Sequence, residues 1–386
     1  MQKTIFLAPH LTFPPRGGGE KRSWHLYNQF IASGGKGECI CQHGLISSSE
    51  LNKFKVKKNW RDSKAMVAAL SLLSGKDYWR VKMFRPEVMN ALKNIKNYEY
   101  NTVVVNFLYS YPLVKSFCGR KIPLIVDTHN YDPDYYNSIG NATGNPLLRA
   151  LCNRAVQNSL ETLKNLPVGT TLVHVSHSDA LRYETHRPDL EHFVIENGTN
   201  INPRKAIPAN NEPVKKIIFV GALSARINQD ALEHFSIRFW PHLKSRAHLT
   251  VIGSNPSKSI MQLCRREKWD LKANVSEIEL EAQYESCHAA ILPFKYGEGS
   301  KLKLLEACGR GVPVLTTSSG TTGMSALPPL VISSDNPTEW RLILDRFESF
   351  SSTDINETIE YARNFSWQHL GKKYFELVET ICRISK

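Results

Sequence analysis

The sequence predicts an α/β protein in which a parallel sheet is built twice. Three observations carry that prediction. Short β-branched runs alternate with stretches of helical periodicity along nearly the whole chain, which is how parallel α/β sheets read. The alternation breaks once, at NPRKAIPANNEPVKK (residues 202–216), a segment rich in Pro, Asn and Lys with no period. Each half opens in the same way, with a strand that runs into a glycine-bearing loop and a helix. A chain of 386 residues has the length for two domains with a core each. The expected architecture is two tandem Rossmann-like domains, their parallel sheets facing an interdomain cleft. The first spans 1–201, 202–216 is a linker, and the second begins at 217.

In order, the strands of the first half are expected at TIFLA (4–8), CICQH (39–43), TVVVNF (102–107), LIVDTH (124–129), TLVHVS (171–176) and HFVIEN (192–197). Those of the second half are KIIFVG (216–221), HLTVIG (248–253), NVSEI (274–278), AAILPF (289–294), VPVLTT (312–317) and LVIS (330–333). Residues 53–95 fit this scheme least. A basic run, FKVKKNWRDSK, precedes an apolar helix-like run, AMVAALSLLSG, and then aromatics mixed with cations. Trp60, Tyr78, Trp79 and Phe84 among those cations suit an anionic bilayer surface. They equally suit a solvated helix pair with its aromatics in the core.

The formal net charge of +13 favours an anionic partner without choosing among nucleotide, nucleic acid and acidic lipid. Because the charge is spread along the chain and no zinc-finger, RRM or helix-turn-helix pattern occurs, nucleic acid is not the expected partner. The eight cysteines are scattered, with no CxxC pair and no zinc spacing, so reduced thiols in a cytoplasm are the plain reading. The triplets at Asn141 and Asn197 then carry no glycosylation meaning. The opening MQKTIFLAPHLTF is too short in its apolar run for a signal peptide, and no stretch approaches the length of a membrane span. The expected location is the cytoplasm, with peripheral contact at the inner membrane face as an option.

The stretch YGEGSKLKLLEACGRGVPVLTT (296–317) carries the chemistry. Leu302, Leu305 and Cys308 are spaced as a helix, capped by Ser300 and ended by Gly309 or Gly311. Lys301 and Lys303 then sit in the first turn, where the helix dipole is already positive; each costs up to about 1 kcal/mol unless an anion is there too. Free backbone N–H groups, the dipole and Lys303 together make a diphosphate site. Glu298 and Glu306, on either side, can accept hydrogen bonds from sugar hydroxyls. The competing reading is a surface helix with an i,i+3 Lys303/Glu306 pair. In the first half, Gly17, Gly18 and Gly19 permit positive φ and leave N–H groups bare at a helix start, a weak signal without the dinucleotide spacing.

This stretch resembles the C-terminal signature of glycosyltransferase family 4, retaining nucleotide-sugar transferases of GT-B fold, in which an E-x7-E motif spans a loop and helix. FVGALSARINQDALEHF (219–235) is similar to the family's strand–loop–helix beside the donor diphosphate, and FLAPHLTFPPRGGGEKRSWHLYNQF (6–30) to its first glycine loop. VDTHNYD (126–132) resembles its strand-end histidine segment. VSHSDALRYE (175–184) and VIENGTN (194–200) resemble its interdomain segments, and NFSW (364–367) the start of a final helix that returns to the first domain. The resemblance implies a donor domain over 217–365 and a returning helix over 366–386. It implies that Arg226 and Lys303 clamp the phosphates, Glu306 holds the ribose, Glu298 the donor sugar, and His129 meets the sugar's reacting face. Gly18, Gly19, Gly221, Gly299, Ser300 and Leu304 complete the donor-binding set, with Val275 meeting the base through its backbone. Two departures stand out: Glu20, Lys21 and Arg22 follow the first glycine loop where apolar residues are usual, and Tyr296-Gly-Glu-Gly replaces the usual loop around the hexose.

The implied activity is transfer of a sugar from a nucleotide diphosphate sugar to an acceptor hydroxyl with retention, in glycan or cell-envelope biosynthesis. The acceptor is expected to be a saccharide, lipid-linked or otherwise, with a small metabolite as the runner-up. No Asp-x-Asp triplet occurs, and Asp132-Pro-Asp134 shows no companion ligands, so neither metal nor cofactor is expected. A nucleotide-sugar epimerase of the same fold, a basic nucleic-acid-binding protein and an inactive scaffold are the alternatives.

Overall fold

The computed structural model describes residues 3–13, 15, 18–46, 63–75, 78–95, 100–115, 122–205, 208, 213–296, 301–322, 324, 326–344 and 350–384. The chain divides into two compact units, Met1–Asn197 with Trp367–Lys386, and Gly198–Ser366.

The first unit holds strands β1 (Lys3–Leu7), β2 (Lys36–Cys41), β3 (Gly44–Ile46), β4 (Thr102–Asn106), β5 (Leu124–Asp127), β6 (Thr171–His174) and β7 (Glu191–Val194). Its helices are α1 (Gly18–Ala32), α2 (Lys64–Ser74), α3 (Tyr78–Met83), α4 (Pro86–Asn94), α5 (Asp132–Ala142), α6 (Pro146–Lys164) and α7 (His177–His186). Among the described residues the sheet order is β3-β2-β1-β4-β5-β6-β7, parallel throughout except for the short β2–β3 hairpin. The central strands are apolar at consecutive positions because helices cover both faces. Ile5, Leu7, Val103, Val105 and Val126 join the core on one face, and Phe6, Val104, Ile125 and Val173 the core on the other.

The second unit holds β8 (Lys215–Val220), β9 (Ala247–Gly253), β10 (Asp270–Ala273), β11 (Ala289–Leu292), β12 (Val314–Thr316) and β13 (Val331–Ser333), in the wholly parallel order β10-β9-β8-β11-β12-β13. Its helices are α8 (Arg226–His234), α9 (Trp240–Leu243), α10 (Lys258–Glu267), α11 (Glu277–Ser286), α12 (Lys301–Cys308), α13 (Pro337–Leu344) and α14 (Ser352–Arg363). A wide π-type turn at Phe235–Phe239 joins α8 to α9, where Pro241 has no N–H to donate.

One expectation is corrected. NVSEI (274–278) is not a strand: β10 ends at Ala273, and Ser276 caps α11. The Ser276 hydroxyl accepts from the Glu279 N–H at 3.3 Å, and the Glu279 carboxylate accepts the Ser276 N–H at 2.7 Å. This capping box satisfies two orphan donors and overrides the β-branched composition. Within 202–216, described residues at both ends are bonded into the second unit. The Asn202 N–H bonds to the Gly309 carbonyl (3.1 Å), the Arg204 N–H to the Arg310 carbonyl (3.1 Å), the Arg204 guanidinium to the Cys287 carbonyl (3.0 Å), and Lys215 already begins β8. The division between units falls after Asn197, before the expected boundary.

Of the segment 53–95, residues 53–62 (with Trp60), 76 and 77 lie outside the described residues. In the remainder, Trp79 packs on Tyr136 (4.4 Å between rings), whereas α2 exposes Met66, Leu70, Leu72 and Leu73. Among the described residues the free cysteines are all buried, where they act as small apolar side chains.

The last helix, α15 (Trp367–Ile384), belongs to the first unit. Trp367 stacks on His25 of α1 at 4.7 Å, and a Cβ on Gly371 would meet the Gln29 Cβ at 2.1 Å. Glycine is therefore required where α15 crosses α1. Gly371→Val is expected to lower stability by about 1–3 kcal/mol through overpacking. Chemical denaturation read by circular dichroism checks this; an unchanged midpoint would refute the close crossing.

Candidate functional site

Both sheets share one topological event. The strand order reverses beside the first strand of each unit, between β1 and β4 and between β8 and β11. Open α/β sheets take ligands at the carboxyl ends of the strands flanking such a reversal. The residues at those ends are unusual in both units.

In the first unit the strand ends are strained. Phe107, just after β4, has φ 65°, and His129, two residues after β5, has φ 62°. A left-handed conformation at a non-glycine residue costs on the order of 1–3 kcal/mol and gathers at functional sites. The two rings stack on each other, 3.9 Å between centroids and 15° apart. Both face Gly19 in the first turn of α1: a Cβ there would lie 2.8 Å from the Phe107 ring and 3.3 Å from His129 Nδ1.

The protonation of His129 follows from its neighbours. Asn106 donates its Nδ2 hydrogen to the Leu7 carbonyl (3.4 Å), which leaves Oδ1 as an acceptor. Oδ1 receives the Ser23 hydroxyl at 2.7 Å and His129 Nε2 at 3.2 Å. His129 therefore carries its proton on Nε2, and its Nδ1 lone pair faces Gly19. His10 donates from Nε2 to the Ser23 hydroxyl at 3.0 Å and sits edge-on to Phe107. Beneath them lies an ion pair taken out of water. Arg22 donates from Nε to both oxygens of Asp127 at 3.0 Å, the two side chains being 1% and 0% exposed. Its Nη1 donates to the Glu196 carbonyl (3.0 Å) and to Asn197 Oδ1 (3.3 Å). Burial, aided by Arg22, holds His129 well below the usual imidazole range. Burial and the His129 ring take His10 down to about 3. Burial, His192 and Arg22 take His174, at the end of β6, down to about 3. All three imidazoles are neutral at pH 7. Above this floor is a cavity of about 410 Å³, lined by His10, Gly18, Gly19, Phe107 and His129 together with Trp79, Tyr135 and Tyr136 of the helices.

In the second unit the strand end after β8 is Gly221. A Cβ on it would lie 2.9 Å from the Lys303 Cε and 2.9 Å from Asn228 Nδ2. A Cβ on Gly253, ending β9, would overlap the Gly221 carbonyl oxygen at 1.7 Å. Two glycines thus let the strand ends close up, and Lys303 from the first turn of α12 lies across the gap. Its ammonium is 5.3 Å from the Phe294 ring centre. Burial pushes the Lys303 ammonium below the usual lysine range, and Glu306 one turn on opposes that. A half-buried cation at the positive end of a helix is a charge short of its counter-ion. Arg226 opens α8 and pairs with Asp230 at 2.8 Å, and Tyr296 donates to the same Asp230 carboxylate. Helix α12 ends in a Schellman arrangement: Gly311 has φ 66°, its N–H bonds to the Cys308 carbonyl (2.9 Å), and that of Val312 to the Ala307 carbonyl (3.0 Å).

Residues 214–341, which contain this second arrangement, match the family model described as Glycosyl transferases group 1. The matched segment lies within the second unit. No curated protein matches the chain. Over its whole length the chain is similar to solved structures at low identity. A sucrose-phosphate synthase from Thermosynechococcus elongatus superposes with TM-score 0.62 at 12% identity, covering 100% of each chain. WaaG, a glycosyltransferase involved in lipopolysaccharide biosynthesis, gives TM-score 0.61 at 15% identity over 97% of this chain and 99% of its own. HepE of Anabaena, solved in complex with UDP-glucose, gives 0.61 at 12% over 98% and 100%. These likenesses establish the GT-B fold, the expected pair of parallel-sheet α/β domains.

Within the second unit, Gly221, Lys303 and Glu306 lie close together, and Arg226 opens the helix that follows Gly221. Lys303 is partly buried with Glu306 one turn on, and Arg226 begins a helix with its exposed guanidinium in an ion pair. The Leu304 side chain lies wholly in the core, and Val275 is half-buried against it. Glu298, Gly299 and Ser300 lie outside the described residues, as does Gly17. In the first unit, Gly18, Gly19 and His129 meet at one cavity. Sequence reasoning missed Phe107, Asn106 and Ser23. The Asn-Phe pair closing an otherwise β-branched strand was the available signal, but its positive φ has none in a single sequence. The departure at Arg22 is explained by its pairing with Asp127.

The neutral imidazoles make stability pH-dependent. His10 and His174 titrate near 3 when folded and near 6.5 when unfolded, so below 6.5 the unfolded chain binds protons that the folded chain refuses. Stability therefore falls as pH drops from 6.5 toward 3, by about 1.4 kcal/mol per pH unit for each residue. Urea unfolding of the whole chain at pH 7.5 and 5.5 is expected to show the loss; equal stabilities would refute the neutral, buried assignment.

Proposed function

We propose that this protein is a retaining glycosyltransferase of family 4 that moves a sugar from a nucleotide diphosphate sugar to an acceptor hydroxyl. The observation that carries the reading is Lys303, lying over Gly221 at the start of α12, within the segment that matches the family model. A pyrophosphate at that point supplies the charge that the helix start and the half-buried ammonium lack. Glu306, one turn on, is the ribose partner, and Glu298 the partner of the donor sugar's hydroxyls. Asp230 and Tyr296 steady the Arg226 guanidinium beside the phosphates.

In the reaction the bond from the sugar's anomeric carbon to the β-phosphate oxygen breaks, and a bond to the acceptor oxygen forms on the same face. The acceptor's hydroxyl proton passes to the departing phosphate. Negative charge grows on that phosphate, so cations and N–H groups fixed beside it lower the barrier by several kcal/mol. The neutral His129, with its Nδ1 lone pair facing the glycine turn, accepts a hydrogen bond from a sugar hydroxyl. The cationic clamp serves in place of a metal. HepE, of the same fold, was solved with UDP-glucose, which supports a nucleotide-sugar donor. Exposed Met66, Leu70, Leu72 and Leu73 on α2 support a peripheral position at a membrane carrying glycan precursors. No helix among the described residues is long and apolar enough to cross one.

A thermal-shift screen of UDP-, GDP-, ADP- and TDP-sugars identifies the donor, since binding raises stability by mass action. Lys303→Ala is expected to weaken nucleoside diphosphate binding about ten- to a hundredfold, the worth of a hydrogen bond to a charged group, with the fold intact. Unchanged affinity in Lys303→Ala would remove the phosphate role. Turnover with the identified donor is expected to persist in EDTA, and its loss there would overturn the metal-free reading. Proton NMR of the product, read for the anomeric coupling, tests retention.

A further inference from the structure

A chain of hydrogen bonds in the first unit has two ways of holding its protons. It runs from the loop before β7 to Thr128, the residue ahead of His129. His192 Nε2 lies 3.0 Å from the Arg187 carbonyl, and His192 Nδ1 lies 3.0 Å from His174 Nε2. His174 Nδ1 lies 3.1 Å from the Thr128 hydroxyl. The two rings are 5.2 Å apart between centres and 10° from parallel, which suits an N–H···N bond in the ring plane. His174 is wholly buried, whereas His192 is half-buried on β7, the last strand of the sheet among the described residues. Solvent therefore meets the chain at His192.

A carbonyl only accepts, so His192 Nε2 carries a hydrogen in every satisfied arrangement. In the neutral pair His192 Nδ1 is then a lone pair, and His174 donates to it from Nε2. The Thr128 hydroxyl donates to His174 Nδ1. One further proton reverses the rest of the chain. With both nitrogens of His192 protonated, its Nδ1 donates to His174 Nε2. The single hydrogen of His174 moves to Nδ1 and is donated to the Thr128 oxygen. The Thr128 hydroxyl hydrogen turns to the Val173 carbonyl, 3.2 Å away, which already holds the Thr128 N–H at 2.9 Å. Every donor meets an acceptor in both arrangements. The other neutral form, with hydrogens on both Nδ1 atoms, sets a bare His192 lone pair against the Arg187 carbonyl.

The groups around the pair decide which ring keeps the added charge. Arg22 of α1 bears on His174, with Asp127 of β5 as its ion partner, and Tyr183 of α7 lies against the ring at 5.1 Å. Burial, His192 and Arg22 together set His174 against carrying a charge. Around His192 are Asp189, whose carboxylate feels its charge, Glu191, which accepts from the Thr171 hydroxyl, and Arg187. The Arg187 guanidinium is tied to Asp189 at 2.7 Å and to the Leu163 and Leu166 carbonyls, which fixes its own carbonyl as the acceptor. The added proton stays on His192.

We propose that Thr128, His174 and His192 form a one-proton switch, loaded from solvent at the sheet edge and read at Thr128. In its loaded form the Thr128 hydroxyl accepts from His174 and donates to Val173, one hydrogen bond more between the ends of β5 and β6. The strained backbone at His129 follows directly. The switch does not depend on the transfer reading.

The test is nitrogen NMR of the full chain, labelled with 15N-histidine and titrated from pH 8 to pH 5. Loss of a signal in His174→Gln and in His192→Gln assigns the two rings. At pH 8 both are expected as neutral Nε2–H tautomers. At pH 5 His192 is expected as the doubly protonated ion and His174 as the neutral Nδ1–H tautomer, the two changing together. In His192→Gln, whose amide takes up no proton, His174 is expected to keep one tautomer throughout. A His174 tautomer that never changes in the unsubstituted chain overturns the proposal, and so does one that still changes in His192→Gln. Should a variant fail to fold, the unsubstituted chain decides alone: no neutral imidazole that exchanges tautomer between the two pH values means no switch.

Discussion

The buried pair of Arg22 and Asp127 is the constraint on which the first unit's site depends. One guanidinium joins the first turns of α1, the end of β5 and the chain at 196–197. Taking both charges out of water costs several kcal/mol per ion, which only close, multiple hydrogen bonds offset. Removing either partner leaves a bare charge in the core, an effect of about 3–5 kcal/mol. That is a strong reason for the segments to stay in register. With them in register, Gly19 lies against the rings of Phe107 and His129, and Ser23 and Asn106 set the imidazole proton. Arg22 also adds a positive charge that keeps those imidazoles neutral.

The two units solve one problem in opposite ways. Each has a parallel sheet whose order reverses beside its first strand, and each puts glycine at the strand end so that another group comes close. In the first unit that group is a pair of strained rings. In the second it is the ammonium of Lys303, drawn over Gly221 by the pitch of α12. One strand end sets stacked rings beside its glycine, and the other sets an ammonium there. The difference comes from a few residues on a shared fold, which is why fold alone does not settle chemistry.

Much of this was legible before any coordinates. Parallel strands buried on both faces read as apolar runs, so β1, β4, β5, β8 and β11 were found within a residue or two. The helix start that puts Lys301 and Lys303 in a first turn was also read, and α12 begins at Lys301. The failures have physical causes. NVSEI carries strand-like composition, but Ser276 and Glu279 form a cap that was itself readable as S-x-x-E. At the start of the 202–216 segment the backbone of Asn202 and Arg204 bonds to Gly309 and Arg310, which sequence pattern does not register. Phe107 and His129 owe their backbone strain to what surrounds them in space. Arg22 read only as a departure from the resemblance, because its partner lies 105 positions away.

The crossing of α15 over α1 has a consequence for biogenesis. The second unit is, in chain order, an insertion: the polypeptide leaves the first unit at Asn197 and rejoins it only at Trp367. While the ribosome is still making the intervening segment, the apolar surface of α1 that receives Leu370, Tyr374 and Val378 has no cover. The inserted unit can fold as it emerges, since its strands are contiguous. The earlier-made unit must wait for the later one, and shortening the chain from its carboxyl end would injure the half synthesised first.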